Sequence, residues 1–253
     1  MSQPGIQDAS ARPSNPAEAP QGAPQGRHSR GVEVCKGFVS YQCWKVSQEW
    51  RRQDKAKKAA DTAEFLKAVQ SRGDEVEVKA FSTAGLKAEM DFMLWNKSRS
   101  LDGIHSLGWA QRGTEFSKWA ELKFNYMAML KGSPYAERSE GNPELYPGPY
   151  KYLFIYPFVK TRPWYLLPLE ERMRVMKGHI ETSKAFPMVK INTSYSFGID
   201  DQDFVVAFES NEADQFVNLV QKLRETESSL YTQRDTPMYV GLSTPLEEIL
   251  KTL

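Results

Sequence analysis

Two stretches decide the fold of this chain: GLKAEMDFMLW at residues 85–95 and GIDDQDFVVAF at residues 198–208. Each opens on a glycine, passes through acidic residues to an Asp-Phe pair and ends in an apolar run, with a one-residue offset. A glycine followed by a short apolar run reads as a turn entering a strand. Meeting the same unit twice points to an internal duplication.

The flanks agree. Before the first unit, GFVSYQCWKV at residues 37–46 alternates Phe38, Ser40, Gln42 and Trp44 against Val39, Tyr41, Cys43 and Lys45, which reads as a strand. A helix is expected over residues 47–71, where Ala59, Ala63, Leu66 and Val69 recur near helical spacing, and a strand over 75–80. Residues 91–95 make a third strand, and helices are expected around 98–112 and 117–130. The second half runs strand 150–159, helix 169–184, strand 189–196, turn and strand 198–208, helix 211–226 and strand 238–242. Both halves follow β-α-β-β-α-β, the ferredoxin-like plan. The expected class is α+β, with two such repeats closing one barrel and helices outside. The expected divisions are a disordered tail at 1–30, rich in Pro, Ala and Gly, and ferredoxin-like halves at 31–145 and 146–253.

Composition narrows the function. The chain has 253 residues, with 33 basic and 32 acidic side chains. That balance gives no electrostatic case for nucleic acid or an anionic membrane. No apolar run has the length of a membrane span. Residues 1–31 lack an apolar signal-type segment, and Cys35 and Cys43 alone make no disulfide framework, so a reduced, cytoplasmic protein is expected. The three histidines, His28, His105 and His179, show no local metal-ligand pair. Phosphate-binding glycine loops and a nucleophile elbow are absent from the sequence.

Three constellations can carry chemistry. His179 lies on or beside the apolar face of helix 169–184, which Met173, Met176 and Ile180 are expected to mark. It reads either as a core histidine or as an axial ligand to haem iron, which needs a neutral imidazole in an apolar pocket. Gly178 beside it would let a flat macrocycle approach the helix, or is simply small. On strand 153–160, Tyr156, Phe158 and Lys160 point one way. They read either as a core-edge phenol with a snorkelling lysine or as a redox-active phenol beside a carboxylate-binding cation. Arg224 suits a helix C-terminus, and with Ser229 it could instead hold a carboxylate.

Together these residues resemble the chlorite dismutase family, and within it the coproheme decarboxylases. The resemblance spans residues 146–241. It rests on YPFVK at 156–160, WYLLPLEER at 164–172, His179, GIDD at 198–201 with Phe204, and Leu223-Arg224 with Ser229. It implies two ferredoxin-like halves per subunit and a homo-oligomer, usually a homopentamer. It implies haem b or coproheme in the C-terminal half, with His179 as the axial iron ligand. Tyr156 then matches the tyrosine oxidised to a radical during propionate decarboxylation. Lys160 matches the lysine next to the reacting propionate, and Arg224 and Ser229 match propionate contacts. The implied activity is peroxide-dependent conversion of coproheme to haem b, with an iron porphyrin and hydrogen peroxide as partners. A haem-binding carrier and a chlorite dismutase are the alternatives.

Two departures from the family pattern matter. The distal arginine of chlorite dismutases aligns with Ile191 or Asn192, which removes the electrostatic basis for chlorite breakdown; Asn192 could serve as a shorter distal amide. An arginine that precedes the Tyr-Pro pair in decarboxylases falls near Glu144, whose carboxylate would repel a propionate.

Overall fold

In a computed structural model, residues 35–133, 135 and 147–253 are described. The tail at 1–30, the boundary at 145/146 and Glu144 lie outside them.

Strand β1 is Gly37–Val46. Its sequence alternation is real: Val39, Tyr41 and Cys43 face one core cluster, while Trp44 and Val46 belong to another. Helices α1 (Gln48–Arg51) and α2 (Lys55–Gln70) follow. The single helix expected over 47–71 is thus two, because a second N-cap intervenes: Ser47 accepts from Trp50 N–H and Asp54 from Lys57 N–H. Strands β2 (Val76–Ser82) and β3 (Phe92–Ser98) and helix α3 (Leu101–Arg112) complete most of the first repeat.

The expected helix at 117–130 is a correction. Ala120–Leu130 is strand β4, paired with β1 along its length. Its Ala, Glu, Leu, Lys and Met content favours helix intrinsically, but Tyr126, Ala128 and Leu130 alternate inward, and pairing overrides propensity.

The second repeat holds β5 (Tyr152–Lys160), α4 (Arg162–Leu166), α5 (Leu169–Lys184), β6 (Val189–Tyr195), β7 (Phe204–Ser210) and α6 (Ala213–Arg224). A 3-10 turn at Glu227–Tyr231 leads to β8 (Thr232–Arg234), β9 (Tyr239–Ser243) and α7 (Leu246–Thr252). The matched glycines of the two diagnostic stretches, Gly85 and Gly198, share φ +74°, a left-handed turn that favours glycine.

The strand order is β7-β6-β4-β1-β3-β2-β9-β5, and β5 pairs back onto β7, so eight antiparallel strands close a barrel, with β8 on the edge of β5. Within the first repeat the order is β4-β1-β3-β2, and within the second β6-β7-β5-β9. The repeats meet at two short seams. One has the pairs Phe81↔Ser243 and Ser82↔Leu242, and the other has Met129↔Tyr195. Side chains extend the second seam: Met127 N–H donates to Asp200 Oδ2 (2.9 Å), and Ser196 Oγ donates to the Met127 carbonyl (2.7 Å).

The barrel interior is filled by Val39, Tyr41, Phe81, Met93, Trp95, Leu153, Ile155 and Val205 with their neighbours. Outside it, the first repeat packs a second cluster beneath α2 and α3, and the second repeat packs a third around Phe154, Tyr156, Phe208, Phe216 and Leu219.

Candidate functional site

The outer face of the second repeat collects most of the candidate residues. The register aligns Tyr156 with Val206, Phe154 with Phe208, Ile191 with Phe208 and Thr193 with Val206. These side chains share one face of the sheet, by period-two alternation. Tyr156 is buried there, its ring stacked 5.8 Å from Phe208, and it makes no hydrogen bond to a described residue. Burial pushes its phenol well above the ordinary value. Asp235 raises it further, and Arg224 opposes.

Lys160 ends β5 after a register shift at Val159/Lys160. It is only 8% exposed. Its Nζ donates to the Ser228 carbonyl (2.9 Å) and lies 4.7 Å from the Trp164 ring centroid. Burial pushes the ammonium down to about 8.

Helix α5 carries His179. The expected apolar face is corrected here. Met173 is 50% exposed, and the buried residue of α5 is Val175, one turn before His179. The imidazole therefore follows Val175 inward. Its Nδ1 is 3.1 Å from Ser228 Oγ, and Nε2 makes no hydrogen bond to a described residue. Burial, then the Lys160 charge, pushes the imidazole down to about 4, so it is neutral at pH 7. Gly178 is exposed, and a Cβ there would meet no atom within 4 Å.

Ser228 links the parts: its hydroxyl meets His179 and its carbonyl accepts from Lys160. The 3-10 turn that presents Ser228 is tied to α5 by Arg174. That guanidinium donates from Nη1 and Nη2 to Glu227 (2.9 and 2.6 Å) and also grips Glu171.

Arg224 is exposed at the end of α6, and its Nη2 donates to Asp235 Oδ2 (3.0 Å). Ser229 does not point toward a ligand in this conformation. Its hydroxyl shares one proton between the Arg224 and Thr226 carbonyls (2.9 and 2.8 Å), closing its own turn. Asn192 is also placed elsewhere. One residue from Ile191, it faces the other side of the sheet at 2% exposure and donates to Glu209 Oε2 (3.2 Å). Ile191 stays on the outer face at 38% exposure.

The structure thus brings His179 and Lys160 together through Ser228, and Tyr156 together with Arg224 and Asp235. Ser228 and Asp235 were not singled out from the sequence, and Trp164 only as part of the motif at 164–172. For Ser228 the signal was adjacency to Ser229, and only the 3-10 turn separates their roles. Two cavities, of about 600 and 640 Å3, lie elsewhere: one beside Lys79, Gly148 and Tyr150, the other between α2, β2 and α7.

Among the described residues, no group of three or more His, Cys, Asp or Glu could hold a metal ion. A metal at His179 would have to bring its other ligands with it, as an iron porphyrin does. No described helix is long and apolar enough to cross a membrane.

This closed barrel of two ferredoxin-like repeats defines a class that the comparisons identify. The family model for chlorite dismutase matches residues 55–244, and the chain belongs to the chlorite dismutase family. It is 28% identical over 219 residues to the coproheme decarboxylase of Mycolicibacterium smegmatis, covering 85% of this chain and 94% of that one. It is 24% identical over 229 residues to the chlorite dismutase of Ideonella dechloratans, covering 85% and 79%. A solved chlorite dismutase mutant from Candidatus Nitrospira defluvii superposes with a TM-score of 0.80 at 22% identity, covering 87% of this chain and 96% of that one. The imidazole complex of the same organism's enzyme gives 0.79 at 23%, covering 86% and 95%.

Proposed function

We propose that this protein is a haem-dependent oxidoreductase that decarboxylates coproheme propionates to give haem b, with hydrogen peroxide as oxidant. The carrying observation is His179: a neutral imidazole whose Nε2 makes no hydrogen bond to a described residue, beside an outer layer with partly buried apolar surface. The fit to an iron porphyrin rests on residues of this chain. Phe158, Val206, Met188, Val220 and Leu223 are only partly buried against the cluster of Tyr156 and Phe208, which leaves a greasy wall for a flat macrocycle.

An iron porphyrin bound here would supply the redox chemistry that lets peroxide act as a two-electron oxidant. His179 would hold its metal, with Nε2 as the nitrogen free for it. Tyr156 keeps its phenol proton because burial disfavours the phenolate, so it can give up and regain a hydrogen atom. It takes that atom from a propionate β-carbon. The carboxylate leaves as carbon dioxide, a vinyl group remains, and peroxide accepts the electron pair. Lys160 and Arg224 supply positive charge at the edges of the site, and the exposed Arg224 guanidinium is the one able to exchange Asp235 for a propionate. The working unit is a cytoplasmic homo-oligomer, by resemblance to the family.

The test is direct. Purified protein titrated with iron coproporphyrin should give a Soret band that His179→Ala shifts or abolishes. Adding peroxide should release carbon dioxide, followed by mass spectrometry. Tyr156→Phe should bind porphyrin normally and form no vinyl product; normal turnover by that variant would defeat the radical role. The second reading is a haem-binding protein without efficient turnover, favoured by the Asp235 carboxylate that holds Arg224. Binding without carbon dioxide release would establish it. Chlorite breakdown is disfavoured because the outer-face side chain at the aligned position is the apolar Ile191. Rapid oxygen release from chlorite would overturn that argument.

A further inference from the structure

We infer that Ser228 is a positioning residue that fixes the tautomer of His179, holding the proton on Nδ1 and leaving Nε2 as a bare lone pair. This deepens the proposed function, on which its meaning for iron binding rests. The argument counts protons along a chain of hydroxyls. Thr226 Oγ1 lies 2.7 Å from the Leu223 carbonyl. A carbonyl only accepts, so the single Thr226 proton is committed there. Thr226 Oγ1 also lies 3.0 Å from Ser228 Oγ, and in that contact it can only accept. The single Ser228 proton is therefore committed to Thr226. Ser228 Oγ then meets His179 Nδ1 at 3.1 Å with no proton left to give, so Nδ1 must carry the hydrogen.

Ser228 is 2% exposed, so bulk water does not replace the contact. Its backbone is fixed independently, because Lys160 Nζ donates to its carbonyl at 2.9 Å. Besides its charge, Lys160 thereby holds the residue that orients the imidazole. The opposite tautomer would set two lone pairs against each other in a buried site. A metal binds the unprotonated nitrogen, so the chain presents Nε2 ready for coordination before any ligand arrives.

The test uses the full-length apoprotein with 15N-labelled histidine. His179 is assigned by its loss in His179→Gln, and its tautomer is read from the two ring nitrogen shifts at pH 7. Wild type should show Nδ1–H with Nε2 unprotonated. Thr226→Ala removes the acceptor for the Ser228 proton, which then turns to Nδ1 and drives the imidazole toward Nε2–H. Ser228→Ala removes the acceptor itself and leaves a mixture. Thr226→Ser should behave as wild type. Apparent affinity for haem b should fall in step with the competent tautomer: a drop to one fifth gives about five-fold weaker binding. An Nε2–H wild type, or a Thr226→Ala spectrum equal to wild type, overturns the assignment. If the tautomers respond as stated but wild type takes up no haem b, the assignment stands and the proposed function fails.

Discussion

The two repeats use the same helix differently. Helix α2 and helix α5 each run sixteen residues at equivalent places, and Phe65 and His179 each stand eleventh. Phe65 is fully buried and packs its ring against Trp44, Phe92 and Phe116 at 5.6, 6.4 and 5.0 Å. His179 is half-buried and meets a serine. Among the described residues, the outer cluster beneath α2 and α3 contains fifteen buried side chains, two of them (Ile249 and Leu250) supplied by α7, and that around Tyr156 contains six. One copy of the fold closes its outer layer with aromatic rings. The other places a polar imidazole in the corresponding position and leaves apolar wall only partly covered. On the proposed function, stability and binding fall to different copies of one architecture.

The contrast can be broken most sharply by truncating both positions. Phe65→Ala should destabilise the apoprotein by about 3–5 kcal/mol, the cost of deleting a fully buried aromatic side chain. His179→Ala should cost about 1 kcal/mol, the worth of one hydrogen bond. Urea unfolding measures both, and equal losses would refute the division of labour.

Acid gives a smaller effect of definite sign. The His179 imidazole titrates near 4 in the fold and near 6.5 when unfolded, so between these values the unfolded chain binds more protons. Stability contributed by this site is present above pH 6.5 and is lost as pH falls toward 4. The urea midpoint of the apoprotein should fall between pH 7 and pH 5, and less steeply in His179→Phe, which carries the first repeat's solution into the second. An unchanged slope would show that the site does not set this dependence.

The smallest effect belongs to the exposed clamp. Arg174→Ala should leave global unfolding unchanged, because solvent screens its pairs with Glu171 and Glu227. Amide exchange should quicken in the turn Glu227–Tyr231 alone. A global loss would mean that the turn is integral to the core.

Much of this was legible in sequence where a local rule decides. Strand β1 and helix α5 have the bounds their periodicity gives, and the paired glycines at 85 and 198 turn with the same φ. Strand β4 was not legible, because Ala120–Leu130 is composed of helix formers and its inward residues obey a period only the partner strand enforces. The choice between Ile191 and Asn192 needed register: alignment gives either, and strand parity sends one outward and the other to Glu209. Ser228 and Ser229 differ only by the rotation of a 3-10 turn, which residue type does not encode. For His179 the helical pattern left a core histidine and an iron ligand both open, and the resemblance to the family is what favours the second.

The seams between the repeats carry a consequence of their own. Ladders inside each repeat spread their hydrogen bonds over many backbone groups, so no single side chain controls them. The junction of β4 with β6 has one register pair, extended by side chains that include Asp200, Ser196 and Tyr195, whose hydroxyl donates to the Gly132 carbonyl. Barrel closure at that point is therefore addressable by point substitution. Asp200→Ala would act as a hinge pin withdrawn, loosening one half-shell from the other while each keeps its own weave.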